Sequence, residues 1–311
     1  MAAEATRAGY GETLIELVEE GKDIMAVEAD LSGSTTTAKL GKAYPERLVN
    51  VGIAEQNMID VAAGLALAGK TVFTGSFAAF GTGRCYDQIR NTVCYSDLNV
   101  KVAPTHAGVT VGPDGGSHQM LEDVSLMRGL PGMSVLVPAD YTAAKQAIRI
   151  AAQNDGPFYV RLGRAKVPQV YEPGTKLELG RAYVLKEGTD VTLIANGVEV
   201  AQALQAAEQL AQAGISAEVI DAFSVKPFDK ATLLESIKKT GCVVSCEEHS
   251  TVGGLGSAVA DIIGENHPVP LERVGVRDVF GTSGDPDELL SEYGLDAAGI
   301  VAKAKAAVAR K

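Results

Sequence analysis

The sequence predicts an α/β protein of two consecutive three-layer domains, each built on a mostly parallel sheet covered by helices. Three observations carry that prediction. The chain has 311 residues and is 46% hydrophobic, which suits about two domains with separate cores. Short β-rich runs alternate with helical periodicities along most of its length, the pattern of strands joined by crossover helices. Between two such sets, the stretch from Arg164 to Gly180 carries Pro168, Pro173, Gly174 and several charges without a sustained apolar period, as a linker does. The boundary is placed near residue 175, giving domains 1–175 and 176–311.

In the first domain, strands are expected over residues 23–30, 71–74, 99–105, 134–138 and 158–162, with helices over 6–20, 54–68, 84–94 and 141–153. The second, smaller domain repeats the alternation. Strands are expected at 191–195, 217–221, 243–247 and 271–276, and helices at 201–212, 230–239 and 257–264. The Ala/Lys-rich stretch 300–311 closes the chain as a helix that frays at its end.

The charge balance is 28 Lys and Arg against 39 Asp and Glu, a net −11. With no run of five or six basic residues, it argues against a nucleic-acid or anionic-membrane footprint. Any phosphate must then be met by single, placed residues. The apolar stretch 61–69 is far shorter than the roughly 20 residues that span a bilayer, and residues 1–9 hold no signal-peptide core. A soluble, cytoplasmic protein is expected. Cys85, Cys94, Cys242 and Cys246 lack metal-site spacing and read as reduced, buried thiols.

Several segments could carry chemistry. Glu55 falls in the first turn of the helix that follows Gly52-Ile53-Ala54, where the helix dipole alone would favour an acid. Phe77 and Phe80 lie just past a short strand, at the end where open α/β sheets hold ligands. There they can face a flat heterocycle or simply fill core. His106 and His118 are two of only four histidines, and they share a glycine-bent loop with Asp114, an arrangement suited to proton transfer or hydroxyl binding. Arg7, Arg161 and Arg164 are candidate anion clamps, with Ser34 able to assist from its turn. The segment Glu247 to Ser257 bridges a strand and a helix and superficially suggests a phosphate loop. It lacks both the dinucleotide glycine spacing and a P-loop lysine, so it reads as packing and subunit contact.

Taken together, "VGIAEQNM", "SFAAF", "YDQIR", "PTHAGVTVGPDGGSHQ", "LEDV", "PAD" and "CEEHSTVGGLGSAVAD" resemble, in order, the carboxyl-terminal part of transketolase, a thiamine diphosphate enzyme. The likeness covers nearly the whole chain. It implies a pyrimidine-binding thiamine-fold domain followed by a transketolase carboxyl-terminal domain. It also implies that Glu55 bonds a ring nitrogen of the cofactor's aminopyrimidine and favours its imino tautomer, that Phe80 stacks on that ring, and that Phe77 lines the pocket. By the same resemblance, His106 and His118 contact the sugar's oxygens and handle protons, and Asp114 helps select hydroxyl stereochemistry. Arg7, Ser34 and Arg164 bind a sugar's terminal phosphate.

Two departures matter. Gly81-Thr82-Gly83-Arg84 stands where relatives often carry another aromatic, with one residue more before "YDQIR". The family's diphosphate-binding domain, with its G-D-G motif, is missing from the sequence, and Asp114-Gly115-Gly116 is not that motif. The resemblance therefore implies half an active site. The expected partner is an amino-terminal transketolase subunit carrying the diphosphate domain and holding most of the Mg2+ (or Ca2+), in an α2β2 assembly of the pentose phosphate pathway. The small-residue helix over residues 61–69 is an expected contact. Competing readings are the beta subunit of a 2-oxo-acid dehydrogenase, 1-deoxyxylulose-5-phosphate synthase, and a non-catalytic subunit that has kept the fold. The phosphosugar set of His106, Asp114, His118 and Arg164 argues against the first, and retention of Glu55 with both histidines argues against the last.

Overall fold

A computed structural model describes residues 3–311, and the strands and helices given are those of these residues. The first sheet has seven strands in the order Ser224–Lys226, Ser134–Leu136, Phe158–Val160, Val100–Val102, Thr71–Gly75, Ile24–Glu28, Leu48–Asn50. All neighbours run parallel except at the edge, where Ser224–Lys226 pairs antiparallel with Ser134–Leu136. That edge strand comes from the second half of the chain, so the two halves share backbone hydrogen bonds. The second sheet has five strands in the order Leu271–Val276, Val243–Ser250, Val191–Ala195, Ala217–Asp221, Tyr183–Lys186, parallel but for the last.

Helices cover both faces of the first sheet. On one face Tyr10, Leu14 and Leu17 of helix Thr6–Glu19 join a core with Ala143, Ala144 and Ala147 of helix Tyr141–Gln153. A Cβ on Gly9 would meet the Tyr141 carbonyl at 3.0 Å, so small residues let these helices approach closely. On the other face Met58, Ile59, Ala62 and Ala63 of helix Glu55–Leu67 pack against Val27 and Val72. Helices Glu199–Gln212, Lys230–Thr240, Leu255–Asn266 and Ala297–Val308 clothe the second sheet.

The expected α/β architecture is present, with differences at edges. The expected continuous helix over 84–94 is instead a π-helical turn Ala79–Arg84, one α turn Tyr86–Gln88, and a second π-helical turn Ile89–Cys94. A π turn accommodates one residue more than an α turn, which suits the extra residue noted before "YDQIR". The strands Tyr183–Lys186 and Ser224–Lys226 and the helix Pro286–Glu292 were not anticipated. Within the linker, Lys166–Val167 pairs with Glu4–Ala5, strapping the start of the chain to it. The four cysteines are buried and unpaired, and burial pushes the thiol of Cys85 up to about 12. Among the described residues no helix is long and apolar enough to cross a membrane.

Candidate functional site

Segments leaving the carboxyl ends of the parallel strands converge at one end of the first sheet, where such folds place ligands. Glu28 ends its strand and is fully buried. Its Oε1 accepts from the hydroxyls of Thr35 and Thr37, both at 2.5 Å, which fixes the turn that carries Ser34. Burial raises the Glu28 carboxyl above its ordinary value. Gly75 lies opposite, and a Cβ there would overlap Glu28. Sequence reading passed over Glu28 because it lies within an apolar strand.

Arg7 opens the first helix and donates to the Ser34 backbone carbonyl at 2.8 Å, so Ser34 meets Arg7 through its main chain. Gly163 N donates to Thr6 Oγ1 at 2.7 Å, bringing the segment with Arg164 beside the start of that helix. Arg164 donates to Val111 O at 2.5 Å and lies 3.6 Å from Asp114. Burial, and then the charge of Arg164, lower Arg7 from its usual value. The two guanidiniums lie near enough to repel, and an anion between them would relieve that repulsion.

His106 sits between this pair and the aromatics. Its backbone has a φ of 61°, a left-handed conformation rare for a side-chain-bearing residue and typical of functional loops. Its ring stacks on Phe77 at 3.7 Å between centroids, and its Nδ1 is 2.7 Å from Thr105 Oγ1. Burial, then Arg7, Arg164 and His118, push the imidazole down to about 3, so it is neutral near neutral pH. His118 stands edge-on to Phe80 at 5.1 Å, with Nδ1 2.9 Å from Ser117 Oγ. Phe77 is nearly covered by His106, which leaves Phe80 as the aromatic open to a ligand.

Glu55 begins helix Glu55–Leu67 and is 4% exposed. Its Oε1 accepts from Arg84 Nη1 at 2.7 Å, and the same guanidinium lies 4.4 Å from the centroid of Phe80. A flat, nitrogen-rich cation can therefore bond the carboxylate and stack on the ring at once. An aminopyrimidine makes those same two demands, so this half of the site fits such a group. A cleft of about 450 Å³ opens beside it, lined by Gly83, Gly116, Met120 and Phe280 among others. Among the described residues no group of three or more His, Cys, Asp or Glu converges on a metal position.

Arg161 does not belong to the anion site. It is 7% exposed, bonds Asp123 Oδ2 at 2.7 Å and the Glu248 carbonyl at 2.8 Å, and lies 3.6 Å from the Glu248 carboxylate. Its charge is spent on holding the two halves together. Glu248 also accepts from Thr110 N at 2.6 Å and leaves no room for a Cβ on Gly108, so the second half props up the histidine loop from below. Gln119 adds bonds to Val109 O and Thr282 O at 3.1 and 2.8 Å. In the segment Glu247 to Ser257, Glu247 caps helix Leu255–Asn266 and His249 Nε2 accepts from Ser125 N at 3.3 Å, contacts of the packing kind.

Comparison with known proteins identifies the two halves of the chain. Residues 2–169 match the transketolase pyrimidine binding domain and residues 180–300 the transketolase C-terminal domain. A chain of Methanocaldococcus jannaschii described as a C-terminal section of transketolase is 50% identical over 298 residues, covering 94% of this chain and 93% of that one. A 6-deoxy-6-sulfo-D-fructose transketolase subunit of Clostridium sp. is 45% identical over 305 residues, 98% of this chain and 95% of that one. A solved structure described as a split gene transketolase, inactive beta4 tetramer, superposes with a TM-score of 0.92 at 49% identity, covering 100% of both chains. With its pyrimidine-binding half followed by its carboxyl-terminal half, the chain belongs to the transketolase family, as a subunit of the split kind.

Proposed function

We propose that this chain is the carboxyl-terminal subunit of a two-chain transketolase that moves a two-carbon ketol unit from a ketose phosphate to an aldose phosphate with thiamine diphosphate. The observation that carries the reading is the buried Glu55 carboxylate facing a flat cation stacked on Phe80, one loop away from the Arg7, Arg164 and His106 cluster. When bound, the cofactor supplies the nucleophilic carbon that makes and breaks the bond to the carbonyl. Glu55 holds a proton shared with the ring nitrogen, and Phe80 orients the ring. Arg7 and Arg164 hold the terminal phosphate, with Ser34 beside Arg7 in the turn whose carbonyl Arg7 bonds. His106, neutral through its burial, and His118 hydrogen-bond the sugar's oxygens, and Asp114 beside Arg164 reads a hydroxyl.

The diphosphate and its metal are assigned to an amino-terminal partner subunit in an α2β2 enzyme, since the residues described here fit the aminopyrimidine half of the cofactor. The division of labour within the chain falls near residue 175, between the two family matches. The sugar is left at the level of a phosphorylated ketose, because a relative of 45% identity is described as acting on a sulfo-sugar. Such a substrate also ends in a tetrahedral anion, which suits the same arginine pair.

Calorimetric titration of thiamine diphosphate with Mg2+ tests this directly, first into the chain alone and then into its mixture with a subunit carrying the G-D-G domain. Binding only in the mixture, with ketol transfer from xylulose 5-phosphate, is expected. Tight metal-dependent binding to the isolated chain would refute the division into two half-sites.

A further inference from the structure

Arg84 entered the sequence reading only as part of a departure, and its position gives it a task of its own. A buried carboxylate without a partner is costly, so a site that keeps Glu55 ready for a cofactor must neutralise it in some other way until the cofactor arrives. Glu55 has a 5% exposed side chain, whereas that of Arg84 is 49% exposed, so one end of the pair is fixed and the other is free to swing into water. The π turn Ala79–Arg84 aims Arg84 back over Phe80, and its carbonyl is held by Gln56 Nε2 at 3.2 Å. The guanidinium thus uses both attachment points of the pyrimidine seat at once, bonding Glu55 at 2.7 Å and lying 4.4 Å from the Phe80 centroid.

We propose that Arg84 is a placeholder for the aminopyrimidine. In the subunit without cofactor its guanidinium fills the seat between Glu55 and Phe80, and it leaves that seat when the ring enters. The inference rests on the proposed thiamine diphosphate function and adds regulation to it. Cofactor affinity is lowered by the fraction of time the seat is closed, and the lone subunit avoids an unpaired buried charge. The cofactor and Arg84 are competitors for one carboxylate.

Two measurements on the wild-type chain, Arg84→Ala and Arg84→Gln test it. In thermal unfolding of the free subunit, Arg84→Ala is expected to melt lower than wild type, and adding Glu55→Gln to Arg84→Ala should restore much of the loss, because the buried charge is then gone. In calorimetric titration of thiamine diphosphate with Mg2+ into the assembled two-subunit enzyme, both Arg84 variants should bind with a Kd roughly tenfold lower than wild type. Unchanged or weaker binding by the variants, with the wild-type enzyme binding normally, overturns the placeholder and leaves the proposed function standing. Absence of binding by the wild-type assembly overturns the function itself. Arg84→Gln covers the case in which Arg84→Ala fails to fold, since its amide still bonds Glu55 without a charge.

Discussion

Glu55 and Glu247 are both buried glutamates whose carboxylates lie at a helix N-terminus, Glu55 from the helix's own first turn and Glu247 from strand Val243–Ser250 in the other half of the chain, yet their oxygens are used in opposite ways. Glu247 Oε2 accepts from Leu255 N at 2.6 Å and Oε1 from Gly256 N at 2.8 Å, and Gly254 has no room for a Cβ against it. Its partners are main-chain groups that cannot leave without unwinding the helix. Glu55 lies in its own helix's first turn without capping it, and its bond goes to a half-exposed side chain. The same residue type near a helix N-terminus is structural when backbone amides use it up, and available for chemistry when only a removable partner does.

The largest effect that sharpens this contrast is on turnover. Glu55→Gln in the assembled enzyme should lower kcat by about 10²- to 10⁴-fold, with subunit assembly by analytical ultracentrifugation unchanged. Full activity in that variant would sink the cofactor role. A comparably large loss, this time of stability, is expected at Asp123. Its carboxylate is fully buried, bonded to Arg161 and to the Tyr159 hydroxyl, and held below the usual carboxylate range despite burial by Arg161 and then by His249 and those bonds. Asp123→Ala removes the nearer of the two carboxylates beside buried Arg161, leaving only that of Glu248 at 3.6 Å, and should cost about 3–5 kcal/mol in chemical denaturation. A cost under 1 kcal/mol would show that Asp123 is not what holds Arg161 in place for its contacts with Glu248.

Glu247→Gln is the mirror of the first test. It replaces an acceptor by a donor opposite two backbone N–H groups and should cost about 1–3 kcal/mol of stability, with kcat unchanged. If Glu247→Gln damaged kcat while leaving stability alone, the distinction drawn from hydrogen-bond partners would collapse.

How far the sequence foretold this arrangement differs between framework and site. The strand at Val191–Ala195 and the helix at Tyr141–Gln153 were legible residue by residue, because a β-branched apolar run and a 3.6 period are local signals. Ser224–Lys226 was not, since its strand character comes from pairing with Ser134–Leu136, nearly ninety residues away. Glu55 and Phe80 could be named from motif order. Arg84 could not, because its contact with both arises from a π turn that hydrophobic periodicity does not register. Arg161 was misread for a related reason. An arginine at a strand's carboxyl end looks like an anion clamp until its partners, Asp123 and Glu248, arrive from elsewhere in the chain.

The smallest of the expected effects concerns His106 and compares the charge states within the site. Burial, together with Arg7, Arg164 and His118, takes its imidazole from the ordinary 6.5 down to about 3. Between those two values the unfolded chain binds the proton and the folded chain does not, so this contribution to stability is complete above pH 6.5 and declines as the pH falls through the window. By pH 5 the loss is at most about 2 kcal/mol. His106→Asn should flatten the fall of the urea midpoint between pH 6.5 and pH 5 relative to wild type, while the difference between the two proteins stays constant above pH 6.5. Parallel acid limbs would mean that His106 is as free to take a proton in the fold as outside it. The flattened limb would establish a neutral imidazole beside Arg7 and Arg164, so that under the proposed function His106 would offer a sugar oxygen a hydrogen bond and any charge set against a phosphate would have to come from the arginines.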